Sequence, residues 1–452
     1  MLPPLESLAD RFFPVFLRKY VDRVCHSKIG VQIASGAFWS LVGSVSSRVL
    51  MVIAAVIVAR LLGRTIYGQY SVVLSTVNTF IVFANFGLAM MVTKYVAEFR
   101  DTDKDRTGRI IGLSYIFTTT SGIVLTIVFC LFAPLICNHV LNAPELIHEL
   151  RIGILFLIIA AINGAQNGVL IGFQDFRAIA IANLFAGVLM IPLRAGGAYL
   201  GGLNGSIVGF GLSLVVLLAI NRFFITRILK KNSITISFNK AFREWPVLWK
   251  FSLPAALSGI MVAPVFWICY LMLARTRNGF DEVALLDAAR QFQLMILFIP
   301  GTISQIILPL LVRTNSATDQ RRYIKVVKYN LVLNISVALL IAIPMVLFSP
   351  WIMEIYGKGF SGGTSTLRIL ALAAIVMTAN SVIGQILASK ERLWVGLLFN
   401  LLWAVVFITG CYITISQNMG AFGIAFAMLI AYLMHSIWQY AYLISYSKSA
   451  KR

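Results

Sequence analysis

Runs of about twenty predominantly apolar residues recur twelve times along this chain, separated by short polar or charged breaks, and twenty is the length that crosses a bilayer as a helix. The runs lie near residues 33–58, 70–93, 110–133, 152–174, 178–200, 206–228, 251–274, 289–312, 329–350, 367–388, 394–416 and 421–445. The pattern predicts an all-α polytopic membrane protein of about twelve transmembrane helices. The longest basic break, 222–250, separates six spans from six. The expected organisation is therefore two six-helix lobes, 31–228 and 251–446, around a central cavity, joined by a basic cytoplasmic linker over 229–250. Ahead of them, in segment 1–30, Leu5, Leu8, Phe12, Phe16, Tyr20 and Val24 recur at helical spacing, which fits an amphipathic helix on the inner leaflet. Residues 447–452 are left as a cytoplasmic tail.

Composition agrees: 59% of residues are hydrophobic and 12% charged, far too apolar for a soluble domain of 452 residues. A net charge of +21 invites a nucleic-acid reading, but the basic residues sit in short loops between spans. With both termini inside, the inner segments hold 28 Lys and Arg and the outer loops 8, which fits the positive-inside rule and an N-in, C-in orientation without nucleic acid as a partner. The five cysteines are odd in number and scattered, so neither a disulfide framework nor metal-ligand spacing follows. Glu6, Asp10 and Arg11 interrupt any signal-peptide core. GxxxxGK[ST] is absent and no nucleophile stands with a base, so the expectation is a non-enzyme with no cofactor and no metal.

The polar residues inside spans carry the candidate chemistry. Arg48 stands near the middle of the first run, where an arginine costs about 2.5–3.5 kcal/mol and normally faces a bundle interior; the alternative is snorkelling to one end. Arg194 follows Pro192 in span five, and His435 lies in span twelve. No carboxylate is expected at depth, since Asp175, Asp287 and Glu391 fall at turns or edges. Such a cavity is cationic and suits an anionic cargo, a pyrophosphate or acidic sugar gripped by bidentate guanidinium bonds. Arg290, at the entrance of span eight, either guides a headgroup or anchors to lipid phosphates. Asn163, Gln166 and Asn167 at i, i+3 and i+4, with Asn380 and Gln385 in span ten, either bond sugar hydroxyls or hold neighbouring helices together. His435 and Asp287 are the candidates for a group that titrates during transport. Trp39, Trp267, Tyr270 and Trp403 offer ring stacking or an interfacial belt.

The halves also repeat. Ala59-Arg60 closes span one and Ala274-Arg275 closes span seven, and on that offset Arg48 maps to Ala263, which puts the charge-binding work mainly in the first lobe. Pro254, Pro264, Pro300 and Pro309 interrupt spans seven and eight, as broken helices do at a transporter's mid-membrane site.

Gly36 to Tyr70, with an arginine in span one and then A-R-x-L-G-x-x-x-Y-G-x-Y, resembles the opening of the oligosaccharide flippases of the O-antigen export type. These belong to the multidrug/oligosaccharidyl-lipid/polysaccharide exporter superfamily, with the multidrug and toxin extruders and the lipid II flippases. FSLPAALSGIMVAPVFW (251–267), ALLDAARQFQLMILFIPGTISQIILPLL (284–311) and YGKGFSGGTSTLRIL (356–370) resemble later parts of the same family, so the likeness covers nearly the whole chain. It implies a two-lobe carrier that moves an undecaprenyl-pyrophosphate-linked glycan across a bacterial inner membrane among membrane lipids. It also implies a polysaccharide polymerase and a chain-length regulator as partners, and Arg48 as the family's span-one arginine. A multidrug antiporter is the second reading. A glycan polymerase or ligase is the third, disfavoured because the longest outer loop is about 18 residues.

Overall fold

The computed structural model describes residues 28–85, 87–252, 261–314, 320–389 and 392–449. The amphipathic segment up to residue 27, Pro254, Glu391 and residues 450–452 lie outside the described residues, as does the side chain of Trp39.

The first lobe comprises α1 (Lys28–Leu62), α2 (Arg64–Asn85), α3 (Leu88–Phe99), α4 (Lys104–Leu135), α5 (Ile147–Leu155), α6 (Leu157–Gly172) and α7 (Phe176–Asn232). The second comprises α8 (Val262–Ala274), α9 (Gly279–Thr314), α10 (Gln320–Leu347), α11 (Ser349–Ile355), α12 (Thr364–Ser389), α13 (Leu393–Ser416) and α14 (Gly420–Ser449). Among the described residues, 10 helical stretches are long and apolar enough to cross a bilayer. One of them, the 57-residue α7, crosses twice, and the shorter apolar α8 stands where span seven is expected. The twelve-span plan in two lobes therefore holds.

Local chemistry sets the breaks. α7 folds back at Gly201 (φ −136, ψ 18) and Gly202 (φ 54, ψ −128), the second a conformation that side chains avoid. The returning limb lies so close that Gly197 backs onto Gly205 and Gly209 onto the carbonyl of Leu193. The outer loop between spans five and six thus shrinks to a two-residue turn. Span two is cut into α2 and α3 by Gly87 at φ 67, and span four into α5 and α6 at Phe156 (φ −81, ψ −2).

The basic linker over 229–250 packs against the first lobe. Ile234, Ala241, Val247 and Leu248 are buried in a core cluster with the inner ends of α3, α4, α6 and α7. Ser237 N–H donates to the carbonyl of Gly108 at 3.2 Å. The Glu244 carboxylate, itself buried, pairs with Arg106 at 3.1 Å and Arg109 at 3.0 Å. The linker is a strap on the first lobe, and Lys230, Lys231, Lys240 and Arg243 lie on its exposed side because the apolar side is used in packing. Glu244→Gln leaves two guanidiniums without their shared anion; with both arginines partly exposed, the expected loss is about 1–2 kcal/mol. A thermal shift of the purified protein checks this, and an unchanged Tm would mean that apolar packing alone holds the strap.

The largest core cluster runs through both lobes, joining Val58, Tyr67 and Phe80 to Phe266, Tyr270, Leu285 and Phe360. The face opposite the basic loops is the outer one, and there the lobes are tied by side chains. Arg60 Nε donates to the carbonyl of Ile355 at 2.6 Å and Arg64 Nη1 to that of Gly359 at 2.9 Å. Arg64 also pairs with Asp281 at 2.6 Å, and Thr65 donates to the same carboxylate. Deeper, Tyr67 OH donates to Asp287 at 3.0 Å and Trp267 Nε1 to Thr76 Oγ1 at 2.9 Å. The seal is close enough that Gly68 touches the carbonyl of Phe280.

Candidate functional site

Beneath this seal lies a cavity of about 380 Å³ between the lobes, at the small end of ligand pockets. α1 contributes Met51, Ala55 and Val58 to its wall, and α2 contributes Tyr67, Tyr70, Ser71 and Asn78. Arg194 enters from α7, Trp267 and Tyr270 from α8, and Asp287, Arg290 and Gln291 from α9. Spacings of three and four residues put each set on one helix face, which is why α2 and α9 present polar groups here while their other faces pack.

Both arginines are held by aromatic rings. The Arg194 guanidinium stands 4.9 Å over Phe210 of the returning limb of α7, with the Tyr70 hydroxyl in its field. Arg290 stands 4.0 Å over Phe266 and 5.7 Å from the centre of Tyr270. A ring under the guanidinium face fixes the group and leaves its edge for hydrogen bonds. The buried Nε atoms of Arg194 and Arg290 have no hydrogen-bond partner among the described residues, nor do Ser71 Oγ and Gln291 Oε1. Asp287 accepts from Tyr67 at 3.0 Å and from Tyr270 at 3.2 Å. The cavity wall therefore carries two guanidiniums and one carboxylate already bonded by two phenols.

Several sequence expectations change. Asp287 was expected at an outer edge and the cavity without a carboxylate; instead Asp287 is on the cavity wall. The reason is that α9 begins at Gly279 rather than near 289, so its charged first turns lie within the bundle. Arg290, counted with the outer loops, is on the same wall. Arg48 is half-buried and does not line this cavity. It precedes Met51 and Ala55 by three and seven residues, so it stands on the flank of their face, one turn nearer the inner side. The opposite face of α1 packs on α7, Gly43 against Ala180 and Leu50 against Gly187. The charge-bearing wall is therefore shared between the lobes and is not confined to the first.

Three of the candidate amides, Asn163, Asn380 and Gln385, bond to neighbouring helices. Asn163 Nδ2 donates to the carbonyl of Leu214 at 2.9 Å, joining α6 to α7. Gln166 is buried beside Tyr115, and Asn167 is exposed. Asn380 donates to the carbonyl of Tyr432 at 3.0 Å and accepts from Ser436 at 2.6 Å, joining α12 to α14. Gln385 accepts from Asn330 at 3.1 Å, and Asn330 in turn accepts from Asn334. His435 is buried against Phe399 and Tyr432, its Nε2 3.1 Å from Gln439. None of these six lines the central cavity. Asn163→Ala and Asn380→Ala are each expected to cost about 0.6–2 kcal/mol of stability while leaving ligand affinity unchanged. A matched pair of thermal-shift and binding curves checks this; a lost affinity at full stability would put the residue back in the site.

Tyr67, Tyr70 and Ser71 are functional candidates that charge counting misses. The Y-G-x-Y spacing contains the first two: Gly68 allows the close approach to Phe280, and the flanking tyrosines then face the lobe interface.

The profile of the family described as polysaccharide biosynthesis protein matches residues 33–315, more than half of the chain. The chain belongs to the polysaccharide biosynthesis protein family. This family assignment bears out the sequence resemblance. Residues 291–449 also match the family of the lipid II flippase MurJ. Over 311 residues the chain is 26% identical to the EPS I polysaccharide export inner membrane protein EpsE of Ralstonia nicotianae, covering 67% of this chain and 69% of that one. It is 22% identical over 418 residues to the stage V sporulation protein B of Bacillus subtilis, covering 86% and 80%. In fold it is similar to an inward-facing multidrug resistance MATE family transporter of the MOP superfamily, with a TM-score of 0.75 at 16% identity over 91% of this chain and 99% of that one. It is also similar to the lipid II flippase MurJ in an inward closed conformation, with a TM-score of 0.70 at 14% identity over 89% and 87%. This member of the polysaccharide biosynthesis protein family is a multi-pass membrane protein with the fold of those transporters.

Proposed function

We propose that this chain is a flippase. It carries undecaprenyl-pyrophosphate-linked oligosaccharide repeat units from the cytoplasmic to the periplasmic leaflet of a bacterial inner membrane by alternating access, and it performs no chemistry on them. The observation that carries this reading is the pair Arg194 and Arg290, one from each lobe, lining one cavity. A pyrophosphate meets both edges through charge-assisted bonds. The cavity is of headgroup size, so the glycan and the lipid tail extend beyond it toward the inner side and the bilayer. The polysaccharide-export relative and the lipid II flippase family support a lipid-linked glycan as cargo.

Export of roughly two negative charges from an inside-negative cell gains about 5 kcal/mol per 100 mV. The membrane potential alone therefore suffices as driving force in this reading. A polysaccharide polymerase and its chain-length regulator are the partners that consume the delivered units. An antiporter of cationic drugs is the competing reading, and a cationic cargo would meet two guanidiniums and a carboxylate already bonded. Deleting the gene and following surface polysaccharide on a gel, with lipid-linked repeat units extracted from the membrane, tests the choice. The flippase reading expects loss of polymer and accumulation of units. Unchanged polymer with raised drug sensitivity would establish the antiporter instead.

A further inference from the structure

Asp287 stands three residues before Arg290 on α9, and both line the cavity. At that spacing the two side chains are neighbours on the helix surface and can pair. The carboxylate is nevertheless turned to two hydroxyls, those of Tyr270 and Tyr67. Tyr270 is on α8 of the same lobe and stays with Asp287 when the lobes move as bodies. Tyr67 is on α2 of the other lobe, three residues along from Arg64, whose pair with Asp281 closes the outer side. Opening that side withdraws Tyr67.

Resting on the flippase reading, we infer that Asp287 is the release residue of the carrier. Withdrawal of Tyr67 frees one carboxylate oxygen, which turns to Arg290 and takes the place of the anionic headgroup there. The cavity then holds a pyrophosphate more tightly when the outer side is closed than when it is open, as a carrier needs in order to let its cargo go. After release, the Arg290–Asp287 pair leaves neither of the two charges without a partner in the empty cavity during the return. Asp287 is a positioning residue in this scheme: it acts on the cargo through Arg290.

The test is a double-mutant cycle on the full-length purified protein in nanodiscs, with farnesyl pyrophosphate as the probe. Tyr67→Phe keeps the ring that packs on Tyr356 and Phe360 and removes only the hydroxyl. It is expected to weaken binding about ten- to hundredfold, the scale of one hydrogen bond to a charged group. Asp287→Asn is expected to strengthen binding, and Tyr67→Phe added to Asp287→Asn to change nothing further. Asp287→Ser supplies the same charge removal should Asp287→Asn not fold. An equal effect of Tyr67→Phe in both backgrounds, or weaker binding on loss of the carboxylate, overturns the inference and leaves the flippase reading standing. If neither the wild type nor Asp287→Asn binds the probe, the flippase reading itself falls, and this inference with it.

Discussion

Arg290→Gln, at wild-type abundance in the membrane, is expected to reduce polysaccharide export roughly ten- to hundredfold, and Arg194→Gln to do the same. Glutamine keeps a polar amide in the cavity but removes the charge and the two-pronged edge that a phosphate group engages. Each arginine is already held in place by an aromatic ring. The loss therefore comes from the missing interaction with the cargo and not from a collapsed site. Arg290→Lys should recover only part of the activity, because a point charge does not reproduce the fork. Arg48→Gln is expected to do much less, since Arg48 stands one turn inward of the cavity and acts on approach, in the way that rim charges alter association. The measurement is surface polysaccharide normalised to protein in the membrane. If Arg48→Gln proved the severe variant and the two cavity arginines the mild ones, the headgroup would have to bind nearer the inner side.

The second large effect is expected from one methyl group. Gly68 backs onto the carbonyl of Phe280 at the start of α9, and a β-carbon there would overlap that oxygen. The contact exists only while the outer side is closed, so Gly68→Ala penalises one state of the cycle and spares the other. Overpacking of this kind costs about 1–3 kcal/mol, roughly a five- to hundredfold change in the balance between the states. Export should fall sharply although the protein folds. The shift is read by labelling Ser71→Cys from outside with an impermeant maleimide: buried beneath the seal in the closed state, the thiol should react faster when Gly68→Ala is present. Unchanged labelling with normal export would mean that the lobes never meet this closely during transport.

Much of this architecture is legible in the sequence because bilayer thickness fixes span length and topology fixes the placement of basic residues. The two lobes and the family likeness follow from apolar windows, the 28-to-8 split of basic residues and the Y-G-x-Y and AAxQ stretches. The site is less legible, for a physical reason that differs at each residue. Charge lowers the score of an apolar window, so span eight was expected to begin near residue 289, past Asp281 and Asp287 and with Arg290 only at its entrance, although these residues form its contribution to the gate and the cavity. Arg48 attracts notice through depth along one helix, but which face it occupies depends on α1 packing against α7. Asn163 and Asn380 look like cavity linings because a stripe of amides reads the same whether it meets a sugar or the carbonyl of a neighbouring helix; here it meets Leu214 and Tyr432. The internal repeat, with Ala263 opposite Arg48, implied an asymmetric site, whereas the second lobe supplies Arg290 from a different helix. With Asp287 on the wall, the lining also carries less net charge than a carboxylate-free cavity, which weakens the pull of the membrane field on the empty carrier.

Alternating access of an anionic lipid-linked glycan is tested most directly by its leaflet. In cells lacking the polymerase, lipid-linked repeat units are labelled on their sugars by an impermeant reagent added to spheroplasts. Wild-type protein should leave most units accessible from outside, whereas deletion of the gene or Arg290→Gln should leave them shielded while their total amount rises. Units equally accessible in the deletion strain, at equal total amount, would contradict the flippase reading.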